Sequence, residues 1–356
     1  MLKINNRKIE DHIKEILQQR QASWQSRLAS AGHAYALQTA SRAMSRQAQL
    51  EYVRSGLPAL NALKDFLAHA SDDDNKWDEL ATSLMALHQR LLSLPKHAVI
   101  ICEAEQTERL SDLIVDSWQD VKSSTANAKQ IEESIPSEFT QLELDPALDG
   151  EPDAVKALES DPIAEDLAWL VATNVYHNAS AYSVPAADHP DTAALMVLAP
   201  YLRNGYLHSA IRERGGAYGG GAGYDANACA FKFFSYRDPH CAETFAHFEA
   251  SIEWLLSEPQ SAEQLEEAIL GIISGMDKPG SPAGEAIKAC FANLHNRGED
   301  WQRKMRAAIL AVTIEDIQRV AKQYLQGQQH VRAVLAPYDK EDSVKDLGFK
   351  VCKINS

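Results

Sequence analysis

The chain has 356 residues, 45% of them hydrophobic and 24% charged, with 50 acids against 35 bases for a formal net charge of -15. This balance describes a globular protein with two cores and repels a phosphate backbone, which excludes nucleic-acid binding while permitting long-range attraction of basic peptides. Five scattered cysteines without CxxC spacing, no signal-peptide core and no run of about 18 apolar residues point to a soluble, non-secreted protein of a reducing compartment, without a membrane segment.

From Asn6 to Ser30, Ile9, Ile13, Ile16, Leu17 and Leu28 recur at helical spacing among charged residues, which predicts a long amphipathic helix. His33 to Ala40 reads as a strand, Ser45 to Arg54 as a helix, and Gly56 with Pro58 opens another helix through Leu67. Asn75 to Leu94 is helical by its leucine series, His97 to Cys102 is β-like, and Thr107 to Val121 closes a first α/β unit over residues 31–130. Residues 131–166 hold twelve acids against one base, Lys156, and four prolines, the composition of an extended linker.

A second unit follows over 167–356. Thr173 to Val184 and Ala228 to Tyr236 read as strands, and Pro190 to Arg214 as a long helix interrupted by Pro200 and Gly205. Helices are expected over Ala242 to Leu256, Ala262 to Met276 behind a Ser261/Gln264 capping box, and Pro282 to Leu294 behind Ser281. After Asp300 to Leu310, Thr313 with Asp316 starts a helix through Leu325, and His330 to Leu335 returns as a strand. The expected fold is α/β (α+β): two related layered domains, each a mainly antiparallel sheet covered by helices, preceded by a long helix over residues 1–30.

The most unusual stretch runs from Asn204 to Asp225 and packs six of the 17 glycines between residues 215 and 223. Glycine density at a helix end permits positive backbone angles and close approach of another chain, which makes Gly215 and Gly216 substrate-binding candidates. No GxxxxGK[ST] occurs, and GxGxxG fits no register there, so a phosphate cradle is discounted. Arg212 falls in the last helical turn, and Tyr218 follows six residues later. Both can donate hydrogen bonds to peptide carbonyls, and a tyrosine hydroxyl can stabilise an oxyanion; equally, the pair can be a capping arginine and a half-buried tyrosine.

The run from Leu207 to Pro239, with Ser281-Pro282-Ala283 and Leu310 to Asp316, resembles the fourth domain of presequence proteases, a branch of the insulinase or pitrilysin family. Gly32 to Ala36, the Ala40 to Ala43 turn and Gly56-Leu57 resemble that family's third domain, and the opening helix resembles an arm of the hairpin joining its two halves. The resemblance implies a clamshell zinc endopeptidase enclosing unfolded peptide. In it Arg212 and Tyr218 contact the substrate beside the scissile bond, and Tyr218 assists the oxyanion catalytically.

The family's zinc motif is absent: none of the twelve histidines begins HxxEH or HExxH. His177, His208, His240 and His247 lack ligand spacing and read as ordinary histidines. The expectation is therefore a chain with no metal or cofactor of its own and no hydrolysis alone. Its partners would be an amino-terminal, zinc-holding HxxEH half and unfolded peptide, in a bacterial cytoplasm or an organelle interior. The rival reading is a non-catalytic peptide-binding or scaffold subunit of a processing-peptidase-like complex.

Overall fold

Local signals set most helix ends. The Ser45 hydroxyl accepts the Ala48 N–H at 3.1 Å, Ser281 that of Gly284 at 3.1 Å, and Ser261 that of Gln264 at 3.3 Å. At Thr313 the exchange is reciprocal: its hydroxyl accepts from Asp316 N while Asp316 accepts from Thr313 N, so the full capping box forms there. At Ser261 only the forward bond forms. A computed structural model describes residues 2–70, 74–93, 99–117 and 164–354. Most of the acidic 131–166 segment, His97 and Ala98, and the end of the helix expected through Val121 lie outside the described residues.

Helices α1 (Leu2–Ser41), α2 (Arg46–Ser55), α3 (Leu57–His69), α4 (Asp74–Ser93) and α5 (Thr107–Ser117) come first. The strand expected over His33 to Ala40 is instead the end of α1. Its alternating pattern misleads because Tyr35, Ala36 and Ala40 also recur at helical spacing, and all three are buried against the sheet. The helix bends at Ala31, where φ is -136° and ψ 33°. The next residue, Gly32, lies so close to the sheet that a Cβ there would come 2.5 Å from the His177 ring. The β-like run before α5 is also corrected: Val99 to Cys102 form no strand.

Six strands, β1 (Leu167–Val171), β2 (His177–Ser183), β3 (Gly219–Asp225), β4 (Ala230–Tyr236), β5 (His330–Pro337) and β6 (Lys350–Lys353), form one mixed sheet in the order β3-β4-β2-β5-β1-β6. β1 runs parallel to β5 and β6, and the other three pairings are antiparallel. The sheet is covered on both faces, giving the layered α/β arrangement expected. On one face Trp24, Tyr35, Ala36, Leu57 and Leu60 of α1 and α3 pack against Trp169, Val171, Ala179, Ala181, Ala333 and Leu335. On the other, the Phe233 ring stacks on Phe248 of the Ala242–Ser257 helix at 5.5 Å. Phe233 also meets Tyr182 edge-on at 5.9 Å. Tyr182, Phe231, Phe233 and Phe248 are fully buried on this side, at about 1.5–3 kcal/mol for each large side chain.

Among the described residues, helices α1 to α3 thus belong to one compact unit with residues 164–278 and 302–354, and residues 78–93, 99–117 and 279–301 belong to a second. In the second unit the Pro282–Leu294 helix follows its serine cap and first-turn proline as its sequence predicts.

Candidate functional site

The helix that leads to the glycine-rich stretch changes character part-way. It is α-helical from Thr192 to Leu202, contains Pro200, and continues as a π-helix from Arg203 to Arg214. Proline supplies no N–H to the helical ladder, and a π segment is a rare, wider form that concentrates at functional sites. It ends over glycines. Gly216 donates to the Arg212 carbonyl at 3.1 Å and Ala217 to that of Ile211 at 3.1 Å, while Gly216 takes a left-handed φ of +75°. A side chain at Gly215 would meet the Ile211 carbonyl oxygen at 2.6 Å, so that position also requires glycine.

This turn buries Ala217 and ejects Tyr218, which is 61% exposed. The Tyr218 N–H donates to the Arg237 carbonyl at 3.3 Å, its ring centre lies 5.4 Å from that of Tyr236, and the Arg237 guanidinium sits 5.5 Å from the same ring centre. Arg212 is exposed on the last helical turn. The structure therefore places Arg212, Gly215, Gly216 and Tyr218 on one turn, with the Arg212 carbonyl as its hydrogen-bond anchor. Neither the Arg212 guanidinium nor the Tyr218 hydroxyl has a hydrogen-bond partner among the described residues, so both remain available to a ligand.

Gly219, Gly220, Gly221 and Gly223 lie in strand β3. Pairing decides this: Gly219 opposes Tyr236, and Gly221 opposes Phe234 across an antiparallel ladder. A Cβ at Gly219 would meet the Tyr236 ring at 2.5 Å, so absence of a side chain lets that ring lie over the strand and reach Tyr218. β3 is an edge strand with one strand neighbour among the described residues.

Tyr236 in turn touches His33 of α1, ring centres 4.7 Å apart. His33 Nδ1 and the fully buried His177 Nε2 have no hydrogen-bond partner among the described residues. Burial first, then the neighbouring His33 and Arg237, holds His177 down at about 4; burial also lowers His33. His208 lies 3.6 Å from Glu213 and His240 4.0 Å from Glu243, while His247 faces Tyr206 at 6.5 Å. Among the described residues no group of three or more histidine, cysteine, aspartate or glutamate side chains is arranged to hold a metal, and a lone pair of imidazoles in an aromatic setting does not fit zinc. No described helix is long and apolar enough to cross a membrane.

Sequence reasoning passed over Tyr236, Arg237 and His33 as parts of this neighbourhood. The alternation in β4 puts Tyr236 on one face with Phe234, but nothing local reveals that Arg237 turns left-handed, with φ at 49°.

Two family models match the chain: the PreP C-terminal domain over residues 171–336, and the associated region of peptidase family M16, subfamily C, over residues 2–66. The chain is 38% identical over 167 residues to a mitochondrial presequence protease of Eremothecium gossypii, a match covering 46% of this chain and 17% of that protein. It is 28% identical over 334 residues to a mitochondrial presequence protease of Emericella nidulans, covering 92% of this chain and 29% of the relative. The chain thus spans less than a third of the length of these relatives. Among solved structures, pitrilysin aligns with a TM-score of 0.41 at 15% identity, over 57% of this chain and 24% of that one, a likeness too slight to carry an argument. The two family matches, and the similarity to a presequence protease over 92% of this chain, support an insulinase-family, presequence-protease-like carboxy-terminal half.

Proposed function

We propose that this chain is the substrate-binding half of a zinc-dependent metalloendopeptidase that degrades unfolded peptides inside a closed chamber. The zinc and its HxxEH motif belong, on this reading, to an amino-terminal partner half. The observation that carries the proposal is the turn from the π-helix into β3, which holds an exposed tyrosine beside a helix-end arginine, both with free donors. Tyr218 would donate its hydroxyl proton as a hydrogen bond to the carbonyl oxygen of the bond being cleaved, where negative charge develops. Arg212 would hold neighbouring peptide carbonyls, and Gly215 and Gly216 would let the substrate main chain approach without a side chain in the way. The edge of β3, which no described strand pairs, supports an extended, main-chain mode of peptide binding, which suits substrates of varied sequence. The mitochondrial location named for the relatives favours an organelle interior over a bacterial cytoplasm.

The test is cleavage of a quenched unstructured basic peptide by this chain alone, by an HxxEH-bearing half alone, and by the two mixed, each with and without a zinc chelator. Chelator-sensitive turnover confined to the mixture supports the proposal. Turnover by this chain alone overturns it, and peptide binding without turnover in any mixture selects the scaffold reading.

A further inference from the structure

Arg237 combines three features that point to a ligand. Its backbone has a φ of 49°, a left-handed conformation that L side chains rarely adopt and that persists only where surroundings impose it. The surroundings are visible on both sides: its N–H donates to His177 Nδ1 at 3.4 Å, and its carbonyl accepts from Tyr218 at 3.3 Å. The next residue, Asp238, is buried and pairs its backbone with Tyr176. Its carboxylate accepts from Thr244 at 2.7 Å, from the His240 N–H at 2.9 Å and from Asn178 at 3.3 Å. The adjacent acid is therefore committed elsewhere.

The Arg237 side chain is exposed and makes no ion pair or hydrogen bond among the described residues. The guanidinium lies 5.5 Å from the centre of the Tyr218 ring, and its charge helps to keep the buried His177 neutral. An aromatic face attracts a cation but offers no lone pair, so the guanidinium donors find no acceptor among the described residues. What sets it apart from the other exposed cations is its place: the left-handed residue directly after β4, against the ring of Tyr218. A guanidinium presents a planar fork that matches a carboxylate with two parallel hydrogen bonds.

We propose that Arg237 is a further ligand-contacting residue of the Tyr218 site and that it binds a carboxylate on the peptide lying across the Tyr218 turn. This rests on the peptide-binding reading above and deepens it, since the pair would then favour peptides carrying a carboxylate at one defined position. The carboxylate has two sources, the peptide's own carboxy terminus or an aspartate or glutamate side chain. The left-handed backbone sets the direction in which the side chain leaves the turn, and the Tyr218 ring holds the cation there.

The experiment measures binding of fluorescein-labelled unstructured peptides to this chain by anisotropy. One peptide has a free carboxy terminus and an internal glutamate, a second is amidated, a third has glutamine for glutamate, and a fourth has both changes. Wild type should bind the first about fivefold more tightly than the fourth, the scale of one solvent-exposed ion pair, with the advantage shrinking as salt is raised. The second and third peptides show which carboxylate is read. Arg237→Asn removes the cation while keeping a residue that tolerates the left-handed backbone, and its thermal melt reports folding. It should bind all four peptides alike, at the wild-type affinity for the fourth. Arg237→Lys should recover part of the preference, because charge returns without the fork. A preference that survives in Arg237→Asn, or a wild type that binds all four equally, overturns the inference while leaving peptide binding in place. Failure of wild type to bind any of the four overturns the peptide-binding reading and the inference with it.

Discussion

Arg237 holds Tyr218 twice, accepting its N–H at 3.3 Å through the main chain and placing a guanidinium 5.5 Å from its ring centre. A side chain that is 61% exposed is therefore oriented from its base and its face while its hydroxyl stays free. Such preorganisation is what a hydrogen-bond donor aimed at developing charge requires.

Removing only that hydroxyl tests the assignment most directly. Tyr218→Phe keeps the ring and its contacts, so the fold and melting temperature should hold while kcat of the reconstituted peptidase falls by about 10²-fold, the usual cost of one oxyanion donor. Arg212→Ala should raise KM more than it lowers kcat, because it removes contacts made to ground state and transition state alike. Steady-state kinetics on the mixed halves checks both, and wild-type values in both variants would remove these residues from the site.

The glycines of β3 should not be equivalent. Gly219→Ala puts a methyl 2.5 Å from the Tyr236 ring, whereas a methyl at Gly223 meets nothing within 4 Å. Gly219→Ala should cost about 1–3 kcal/mol through overpacking, and Gly223→Ala should be neutral or mildly stabilising through reduced entropy of the unfolded chain. Urea unfolding of the two variants compares them, and Gly219→Ala should also weaken peptide binding by displacing Tyr236 from Tyr218.

Stability should depend on His177 at mildly acid pH. Folded, its pKa is held at about 4 by burial and by the nearby His33 and Arg237; unfolded, it returns to the ordinary 6.5. The unfolded chain therefore binds the extra proton between those values, so the stabilisation is whole above pH 6.5 and is lost as pH falls toward 4. Holding His177 neutral against that depression, from 6.5 to about 4, corresponds to about 3 kcal/mol at the acid end. Denaturant melts at pH 7.5 and 4.5 should show that loss in wild type and a smaller one in His177→Gln. Equal losses would assign the acid sensitivity to other groups.

The reciprocal cap at Thr313 gives a local stability test. Thr313→Ala strands the Asp316 N–H and should lower unfolding free energy by about 1 kcal/mol, with no change in peptide affinity. Thr313→Ser, which keeps the hydroxyl, should restore most of it.

The sequence by itself determined the parts whose causes are short-range. Serine and threonine caps, first-turn prolines and apolar spacing mark α2, α3, the Ala262–Asp277 and Pro282–Leu294 helices and the Ile314–Tyr324 helix, because a cap bond spans three residues and a helical face repeats every three or four. The run from Leu207 to Pro239 also identified the family, and it placed Arg212, Gly215, Gly216 and Tyr218 within one turn's reach. Tertiary structure decided the rest. Gly219, Gly220, Gly221 and Gly223 are poor strand formers and enter β3 by pairing with β4, and His33 to Ala40 joins α1 because Tyr35, Ala36 and Ala40 bury together against Ala179, Ala181 and Ala333. The line of contacts from His33 through Tyr236 to Tyr218 and Arg237 joins residues from α1, β4 and the turn before β3. Such contacts are set by strand register and by a helix crossing the sheet, long-range relations to which no local propensity responds.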